Sequence, residues 1–285
     1  MIKNITLITI ALLAFAGNSV LCRLALGDQV VDAASFTSIR LLSGAIFLFA
    51  LVRFKEKKSV SMKGGNWLSA ISLFLYAATF SYAYISLDTG TGALILFGFV
   101  QLTMIAYTFM QGKRLAIVEW FGLFIAFSGL LVLLLPGASA PSLTGFILMA
   151  ISGVAWGIYT IKGKGSETPL LDTATNFLKT LPFIILLTLI TFYNSELSTS
   201  GIILAATSGA ITSGLGYAIW YAVLKNITVI QAAISQLLVP IIASIAGVLF
   251  TNETITTKLL IASLLILGGI LILTLGKHFN QKKIA

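Results

Sequence analysis

The sequence predicts an all-α polytopic membrane protein, whose ten transmembrane helices form two inverted five-helix repeats. Three observations lead to this fold class: the composition, the division of the chain into ten apolar segments, and a faint similarity between its two halves. Of the 285 residues, 58% are hydrophobic and 9% are charged, whereas an ordinary soluble domain is about 25% charged. Together with a mean hydropathy of +1.03, this excludes folding in water.

Ten apolar segments fill the chain, most of them close to the roughly 20 residues that a helix needs to cross the hydrocarbon core. A spanning segment must satisfy its own backbone hydrogen bonds, and an α-helix does so. A β-barrel would instead need alternating segments of about 10 residues, which the sequence lacks. The predicted spans are 5–26, 33–52, 65–87, 90–110, 115–135, 142–161, 170–193, 200–222, 227–250 and 256–276.

The short loops between these segments carry an uneven distribution of charge. With the N-terminus inside, most of the 18 basic residues fall in inside loops, whereas the outside loops are mainly acidic, with Lys258 as a basic exception. Cytoplasmic loops are enriched in Lys and Arg. The sequence therefore predicts an even number of spans with both termini in the cytoplasm. The net charge of +9 belongs to these loops and does not indicate a nucleic-acid partner.

The two halves of the chain, residues 1–137 and 138–285, resemble each other weakly. At an offset of 140, Gly17 corresponds to Gly157 and Asp32 to Asp172. Each half holds five spans, and because five is odd, the second half enters the membrane in the opposite orientation. Such inverted repeats are typical of transporters that alternate between inward-open and outward-open states.

One apolar segment in each half carries an amide at bilayer depth. Gln101 lies in the middle of 92–110, and Gln236 lies in 232–250, which also contains Pro240. A polar side chain in the hydrocarbon core is costly unless it has a partner or faces water. Both amides are candidate substrate-binding residues, and a hydrogen bond that only ties two helices together is the alternative. Asn18 is a third polar candidate.

Arg40 lies seven residues into the second segment. One interpretation is a cationic anchor for a carboxylate or phosphate in a central cavity. The other is an arginine that snorkels to the outer interface, about 10 Å away along the helix, or that caps a neighbouring helix. Lys179 lies near the corresponding position of the second half, and two such cations at one level would favour an anionic substrate.

Aromatic side chains with polar tips recur along the spans. Those near helix ends usually form the interfacial belt, and the sequence predicts this role for at least half of them. Trp156 and Tyr159 lie near the middle of the sixth segment and are the better candidates for a cavity wall, where they would suit a planar, apolar or cationic solute. The set comprises Tyr82, Tyr84, Tyr107, Trp156, Tyr159, Tyr217, Trp220 and Tyr221.

Acidic residues and enzyme motifs limit the possible mechanisms. All nine carboxylates fall in loops or at predicted helix ends, whereas a proton relay usually needs acids within the bilayer. We therefore expect facilitated diffusion or exchange, or coupling through a terminal acid such as Asp32 or Glu119. The sequence has no P-loop, HExxH, GxSxG or cysteine cluster. It predicts no enzyme, no cofactor and no metal site.

Several stretches resemble the drug/metabolite transporter superfamily, in particular its EamA-type ten-helix transporters. The resemblance covers essentially the whole chain, and it implies export of amino acids, related metabolites or drugs. One departure is Gln101, which stands where the family often has proline. The matching stretches are AFAGNSVLCR, IRLLSG at 39–44, YAYISLDTGTGALILFGFVQ at 82–101, YAVLKNITVIQAAISQLLVP and FTNETIT with Glu253.

The sequence thus predicts a secondary transporter of a small organic solute in a bacterial-type inner membrane. The alternative is a membrane-embedded enzyme or a lipid-handling protein. Ten helices with internal pseudosymmetry can enclose a path unaided, so a monomer is expected, with a dimer left open. The predicted site lies near the midplane between the halves, and a subset of six candidate substrate-binding residues is expected to line it: Asn18, Arg40, Gln101, Trp156, Tyr159 and Gln236.

Overall fold

The computed structural model describes residues 2–55, 64–112, 116–137, 140–224, 226–227 and 229–284. Within these residues the chain is helical, apart from turns, loops and one isolated antiparallel bridge between Val31 and Leu197. Several basic residues behind the orientation prediction lie outside the described residues, namely Lys57, Lys58, Lys63, Lys113, Arg114 and Lys225.

Helix occupies every one of the ten apolar segments in the part of the chain that the structure describes. The first half contains α1 (Ile2–Gly27), α2 (Ala33–Lys55), α3 (Trp67–Tyr84), α4 (Thr89–Met110) and α5 (Ile117–Leu134). The second half contains α6 (Leu143–Gly163), α7 (Pro169–Lys179), α8 (Leu181–Thr191), α9 (Thr199–Thr207), a π-helix (Ser208–Leu215), α10 (Gly216–Leu224), α11 (Val229–Gln236), α12 (Leu238–Phe250) and α13 (Thr257–Ile284).

Eight helical stretches within the described residues are long and apolar enough to cross a membrane. The chain is therefore an all-α membrane protein, as the composition predicts. The stretches are Asn4–Gly27, Ala33–Lys55, Thr89–Met110, Ile117–Leu134, Leu143–Gly163, Pro169–Thr191, Thr199–Leu224 and Thr257–Leu275, with Ile234–Phe250 as a shorter apolar helix.

Three segments predicted as single helices are interrupted in the second half. Pro182 and Pro240 each follow a break, at Thr180 and Leu237. A proline cannot donate to the carbonyl four residues earlier and its ring clashes with that carbonyl, so each break falls two to three residues before the proline. In the predicted segment 200–222, the helical turns widen from α9 into the π-helix and narrow again into α10. These interruptions correct the sequence prediction of unbroken helices.

The loops predicted to share one face of the membrane are in contact with one another. The backbone N–H groups of Ser35 and Glu196 both donate to the Asp32 carboxylate at 2.9 Å. The hydroxyls of Ser86 and Ser142 are 2.7 Å apart. These contacts bring loops of both halves to one end of the bundle, which we call the Glu253 face after the carboxylate described below.

Helix packing joins the two halves in matching pairs. In the first half, α1 packs against the π-helix, α10 and α12; in the second, α6 packs against α3 and α4. Further contacts join α2 with α7 and α8, α4 with α12, and α5 with α13. Each of these contacts has a counterpart, or maps onto itself, when the halves are exchanged, whereas the contact of α4 with α13 is not matched in this way.

Glycines allow the closest of these helix contacts. A Cβ on Gly122 of α5 would lie 2.6 Å from the carbonyl oxygen of Gly269 on α13. A Cβ on Gly153 of α6 would lie 2.6 Å from the carbonyl oxygen of Leu96 on α4. At these positions glycine therefore has the close-packing role that it commonly has in membrane helices.

Candidate functional site

Arg40 lies inside the bundle and holds two halves of the chain together. Its side chain comes from α2 and is 1% exposed, so it does not snorkel to the interface. Its Nε–H donates to the Ser213 hydroxyl at 3.0 Å, and its Nη2 donates to the hydroxyls of Tyr76 at 2.9 Å and Tyr217 at 3.1 Å. Three neutral hydroxyls, one from the first half and two from the second, therefore surround the guanidinium.

No carboxylate within the described residues neutralises Arg40. The ion pairs found there belong to Arg23. The Arg40 guanidinium instead lies over the rings of Tyr76 and Phe80, with its carbon 5.2 Å and 4.9 Å from their centroids. Its Nη1 has no hydrogen-bond partner among these residues. A buried charge without a counter-ion costs several kcal/mol, so Arg40 is a candidate functional residue of this membrane protein.

The π-helix places three hydroxyls against Asn18. The Asn18 side-chain oxygen accepts from Ser208 at 2.8 Å, from Ser213 at 3.2 Å and also from Thr212. In an α-helix, residues five apart lie about 140° apart around the axis, so Ser208 and Ser213 could not both face Asn18. The wider π turn brings them to one side, and such segments are frequent at functional sites.

Aromatic rings from both halves meet beside this polar network. The Trp156 ring lies 4.6 Å from Tyr217, 4.9 Å from Tyr76 and 5.4 Å from Tyr159, centroid to centroid. These distances are typical of tilted and edge-on aromatic contacts. Phe15 on α1 completes the group, 5.9 Å from Trp156.

A small central cavity lies within this aromatic group. Its volume is about 10 Å³, which is room for roughly one water molecule. The centre of the bundle is therefore closed in this structure, and an organic solute enters it only if the rings move apart. The cavity is lined by Phe15, Tyr76, Leu96, Phe97, Trp156 and Tyr217.

The six predicted site residues are all buried, and four of them lie in or next to the network just described. Asn18 and Arg40 are linked through Ser213, and Trp156 and Tyr159 stack in the aromatic group. Gln101 follows Phe97 by four residues on α4, so it lies one turn beyond the cavity wall. Gln236 ends α11 at the helix break, and its Oε1 has no partner among the described residues.

Two expectations from the sequence are wrong. The interfacial belt was expected to hold at least half of the eight aromatics, but only Tyr82 and Tyr107 are exposed. Lys179 does not share the surroundings of Arg40, because its ammonium group lies 5.2 Å from the ring centroid of Trp67. The second half provides no charged counterpart to Arg40 among its described contacts, and the site is asymmetric in charge.

Sequence reasoning missed Tyr76, Phe15 and Ser213. Tyr76 carried a usable signal, since it lies near the middle of the segment 65–87, away from the interfaces where tyrosine usually lies. Phe15 and Ser213 carried none, because phenylalanine and serine are common in membrane helices of every role. Their importance follows only from which helices face each other.

A second polar cluster closes the Glu253 face. Both oxygens of the Glu253 carboxylate accept from the backbone N–H of Thr89 at 2.9 Å, and one also accepts from the Thr89 hydroxyl at 2.8 Å. Glu253 thereby caps the N-terminus of α4 from the opposite half, where a negative charge is favoured. Arg23 lies 3.5 Å from Glu253 and 3.8 Å from Asp88.

The charges of this cluster shift the titration of Asp88, which precedes α4. Partial burial, and after it the nearby Glu253 carboxylate, raises the pKa of Asp88 above its usual range, although Arg23 acts in the opposite direction. Asp88 also lines a cavity of about 20 Å³ at this face, together with Glu253 and Ser244. The face is closed by contacts that involve charge and that join both halves.

Comparison with known proteins places the chain among membrane transporters. Residues 143–275 match the EamA-like transporter family. The uncharacterized protein PA1977 of Pseudomonas aeruginosa is 48% identical over 268 residues, covering 94% of this chain and 93% of that protein. The uncharacterized transporter YoaV of Bacillus subtilis is 22% identical, covering 87% of this chain and 89% of its own length.

More distant relatives support the same placement. An uncharacterized transporter of Archaeoglobus fulgidus is 24% identical over 295 residues, with 97% of this chain and 99% of that protein covered. A crystal structure of another protein shares the fold, with a TM-score of 0.63 at 19% identity, over 94% of this chain and 98% of that chain. By these similarities the chain belongs to the EamA-like transporter family of the drug/metabolite transporter superfamily.

Proposed function

We propose that this protein is a secondary transporter that moves a small organic solute through the centre of the bundle by alternating access. The observation that carries the proposal is the buried guanidinium of Arg40, held by hydroxyls of both halves and adjoining a wall of aromatic rings. A charge buried in a membrane bundle usually faces a substrate or ion pathway. A site shared between two halves is also the arrangement that alternating access requires.

The matched packing of the halves supports two inverted repeats of five spans each, within 1–137 and 138–285. In such a carrier one half rocks against the other around a fixed site. The closed centre and the closed Glu253 face correspond to one stage of that cycle. We further propose that the termini lie in the cytoplasm of a bacterial inner membrane, that transport is outward and that the monomer suffices.

The positions of the acids favour facilitated diffusion or exchange over proton coupling. Glu119 lies in the first turn of α5 and accepts from the Ala116 N–H at 2.6 Å, while Asp172 lies in the first turn of α7 and accepts from the Ser166 hydroxyl. Each carboxylate is thus engaged in a local hydrogen bond near the start of its own helix. Uphill solute movement in proteoliposomes after a pH jump would contradict this mechanism.

Flux from proteoliposomes loaded with a bacterial small-molecule extract tests the transport proposal. We expect saturable release of a restricted set of solutes, identified by mass spectrometry, which is absent from protein-free liposomes. Two single variants, Gln101→Ala and Gln236→Ala, should each release solute more slowly while the protein remains folded. Conversion of lipid or solute into new products, without release of intact solute, would favour the enzyme or lipid-handling alternative.

A further inference from the structure

The central site has hydrogen-bond donors to spare and few free acceptors. A guanidinium carries five N–H donors, of which the Nε–H and two on Nη2 of Arg40 are used by Ser213, Tyr76 and Tyr217. The two on Nη1 have no partner within the described residues. Tyr217 also donates its own proton to Tyr76 at 3.1 Å. The hydroxyl oxygens of the network therefore already accept hydrogen bonds, whereas the N–H groups of Arg40 Nη1 remain available to donate.

Tyr76 extends this surplus to the cavity wall. Its hydroxyl oxygen accepts from both Arg40 and Tyr217, and no acceptor for its own proton is found among the described residues. The side-chain oxygen of Asn18, which is linked to Arg40 through Ser213, already receives three hydroxyl donors. A solute with acceptor oxygens would find donors here, whereas a solute with N–H donors would compete for oxygens already in use.

The charge of the site also favours a solute with acceptor oxygens, in particular an anionic one. Arg40 contributes one positive charge, and the described surroundings supply no carboxylate. Aromatic faces attract cations, but the faces of Tyr76 and Phe80 already accommodate the Arg40 guanidinium. A cationic solute would therefore meet like charge beside an occupied pair of rings. One negative charge on the solute neutralises the site, and a phosphate near −2 would overcompensate it.

The remaining wall is apolar. Phe15, Leu96, Phe97 and Trp156 line the central cavity together with the rings of the two tyrosines. This surface favours a flat or aliphatic body that leaves water on binding. We infer that the solute is a monocarboxylate with an apolar or aromatic body and without an ammonium group. Its carboxylate accepts hydrogen bonds from Arg40 Nη1 and from the Tyr76 hydroxyl. This inference rests on the proposed transport function of the site.

Three probes that share one ring and one chain length test this inference: 3-phenylpropanoate, 3-phenylpropanamide and 3-phenylpropylamine. Binding to the full-length protein in lipid nanodiscs at pH 7 is measured from the rise of the thermal midpoint with probe concentration. We expect the acid to bind at least tenfold more tightly than the amide, and the amine to give no shift. An amide or amine that binds as tightly as the acid, or no shift with any probe, overturns the inference.

Two substitutions examine the residues that carry the preference. Arg40→Lys keeps the positive charge and should keep the acid as the best probe, whereas Arg40→Gln should bind acid and amide equally. If Arg40→Gln fails to fold, Tyr76→Phe serves instead, because it retains the ring and should weaken acid binding at least threefold while the amide changes less. Equal loss for acid and amide in Tyr76→Phe would contradict the assigned carboxylate contact.

Flux of the same probes separates this inference from the transport proposal. Binding of the acid without flux in proteoliposomes would leave the assigned site chemistry in place and count against transport. Flux of the amine or amide in preference to the acid would leave transport in place and overturn the assigned substrate class. Asp28→Asn, an exposed substitution at the Glu253 face, is the control and should leave the order of the three probes unchanged.

Discussion

Arg40 of α2 and Tyr217 of α10 are joined by a hydrogen bond of 3.1 Å from Nη2 to the phenol oxygen. The bond connects residues 177 positions apart in sequence and links the two halves of the chain at the centre of the bundle. In the proposed alternating-access cycle, a movement of one half relative to the other would strain or break this bond at the proposed binding site.

Tyr217→Phe tests this bond directly. The ring stays to pack against Trp156, while the Arg40 Nη2 loses an acceptor. Leaving a buried charged donor unsatisfied costs about 1–3 kcal/mol, so we expect a lower thermal midpoint and slower solute flux. The matched control is Tyr193→Phe, whose ring is 96% exposed and whose loss of a hydroxyl should change neither quantity. Equal effects of the two substitutions would show that the bond contributes nothing specific.

Gly209→Ala tests the close approach of the π-helix to α2. A Cβ at Gly209 would meet the carbonyl oxygen of Arg40 and the hydroxyl of Ser43 well inside contact distance. Overpacking of this kind typically costs about 1–3 kcal/mol, and here it displaces the residues that hold Arg40. We expect a lower thermal midpoint together with weaker binding of 3-phenylpropanoate.

Gly268→Ala provides the matched control for that substitution. A Cβ there meets nothing within 4 Å, and alanine is favoured over glycine inside a helix by about 1 kcal/mol. The thermal midpoint should stay the same or rise. A drop as large as that of Gly209→Ala would mean that helix glycines matter here for a reason other than space.

Glu253→Gln tests whether the carboxylate holds the Glu253 face closed. The amide loses the negative charge that faces Arg23 and the N-terminus of α4, and with it part of the stabilisation of the closed face. We expect faster reaction of an introduced Ser244→Cys with a membrane-impermeant maleimide, since Ser244 lines the cavity at this face. The background is Cys22→Ala, which removes the single, buried cysteine of the chain.

Asp28→Asn is the control for that experiment, because Asp28 is exposed at the same end of the bundle. It should leave the labelling rate of Ser244→Cys unchanged. If Glu253→Gln labels no faster than this control, the closed face does not depend on the Glu253 charge.

The raised pKa of Asp88 predicts that the stability of the protein depends on pH. Because its pKa is raised in the folded protein, the folded state holds the proton more tightly than the unfolded chain does. The contribution of Asp88 to the free energy of unfolding is therefore largest below the usual carboxyl pKa of about 3.9 and is lost as the pH rises through the raised value.

Asp88→Asn removes this titration. At pH 7 the variant should have a higher thermal midpoint than the wild type, because the charge near Glu253 is gone, and the difference should shrink as the pH falls through the raised pKa. The two unfolding midpoints are measured side by side across pH. A variant midpoint at pH 7 below that of the wild type would show that the Arg23 attraction outweighs burial and the Glu253 charge, and a difference that does not change with pH would show that the pKa of Asp88 is not raised by folding.

Part of the candidate site could be predicted from the sequence, because burying its polar side chains in apolar segments is energetically costly. Arg40, Asn18, Gln101 and Gln236 are expensive in an apolar segment wherever the segment packs, so they stand out without any coordinates. The sequence likewise places every acid in a loop or at a helix end, and Glu119 and Asp172 lie in the first turns of α5 and α7. Tyr217 was noticed only as one of eight aromatics, since a tyrosine suits an interface and an interior equally well.

The sequence is sufficient to predict a helical chain in a membrane, because each apolar segment has to satisfy its backbone hydrogen bonds within itself regardless of its neighbours. The tertiary structure is needed to tell which polar side chains meet. It brought Tyr76 and Ser213 to Arg40, set the hydroxyls of the π-helix against Asn18 and gave Lys179 to Trp67 instead. These pairings depend on which sides of the helices pack together, and the local hydropathy of the sequence does not predict this.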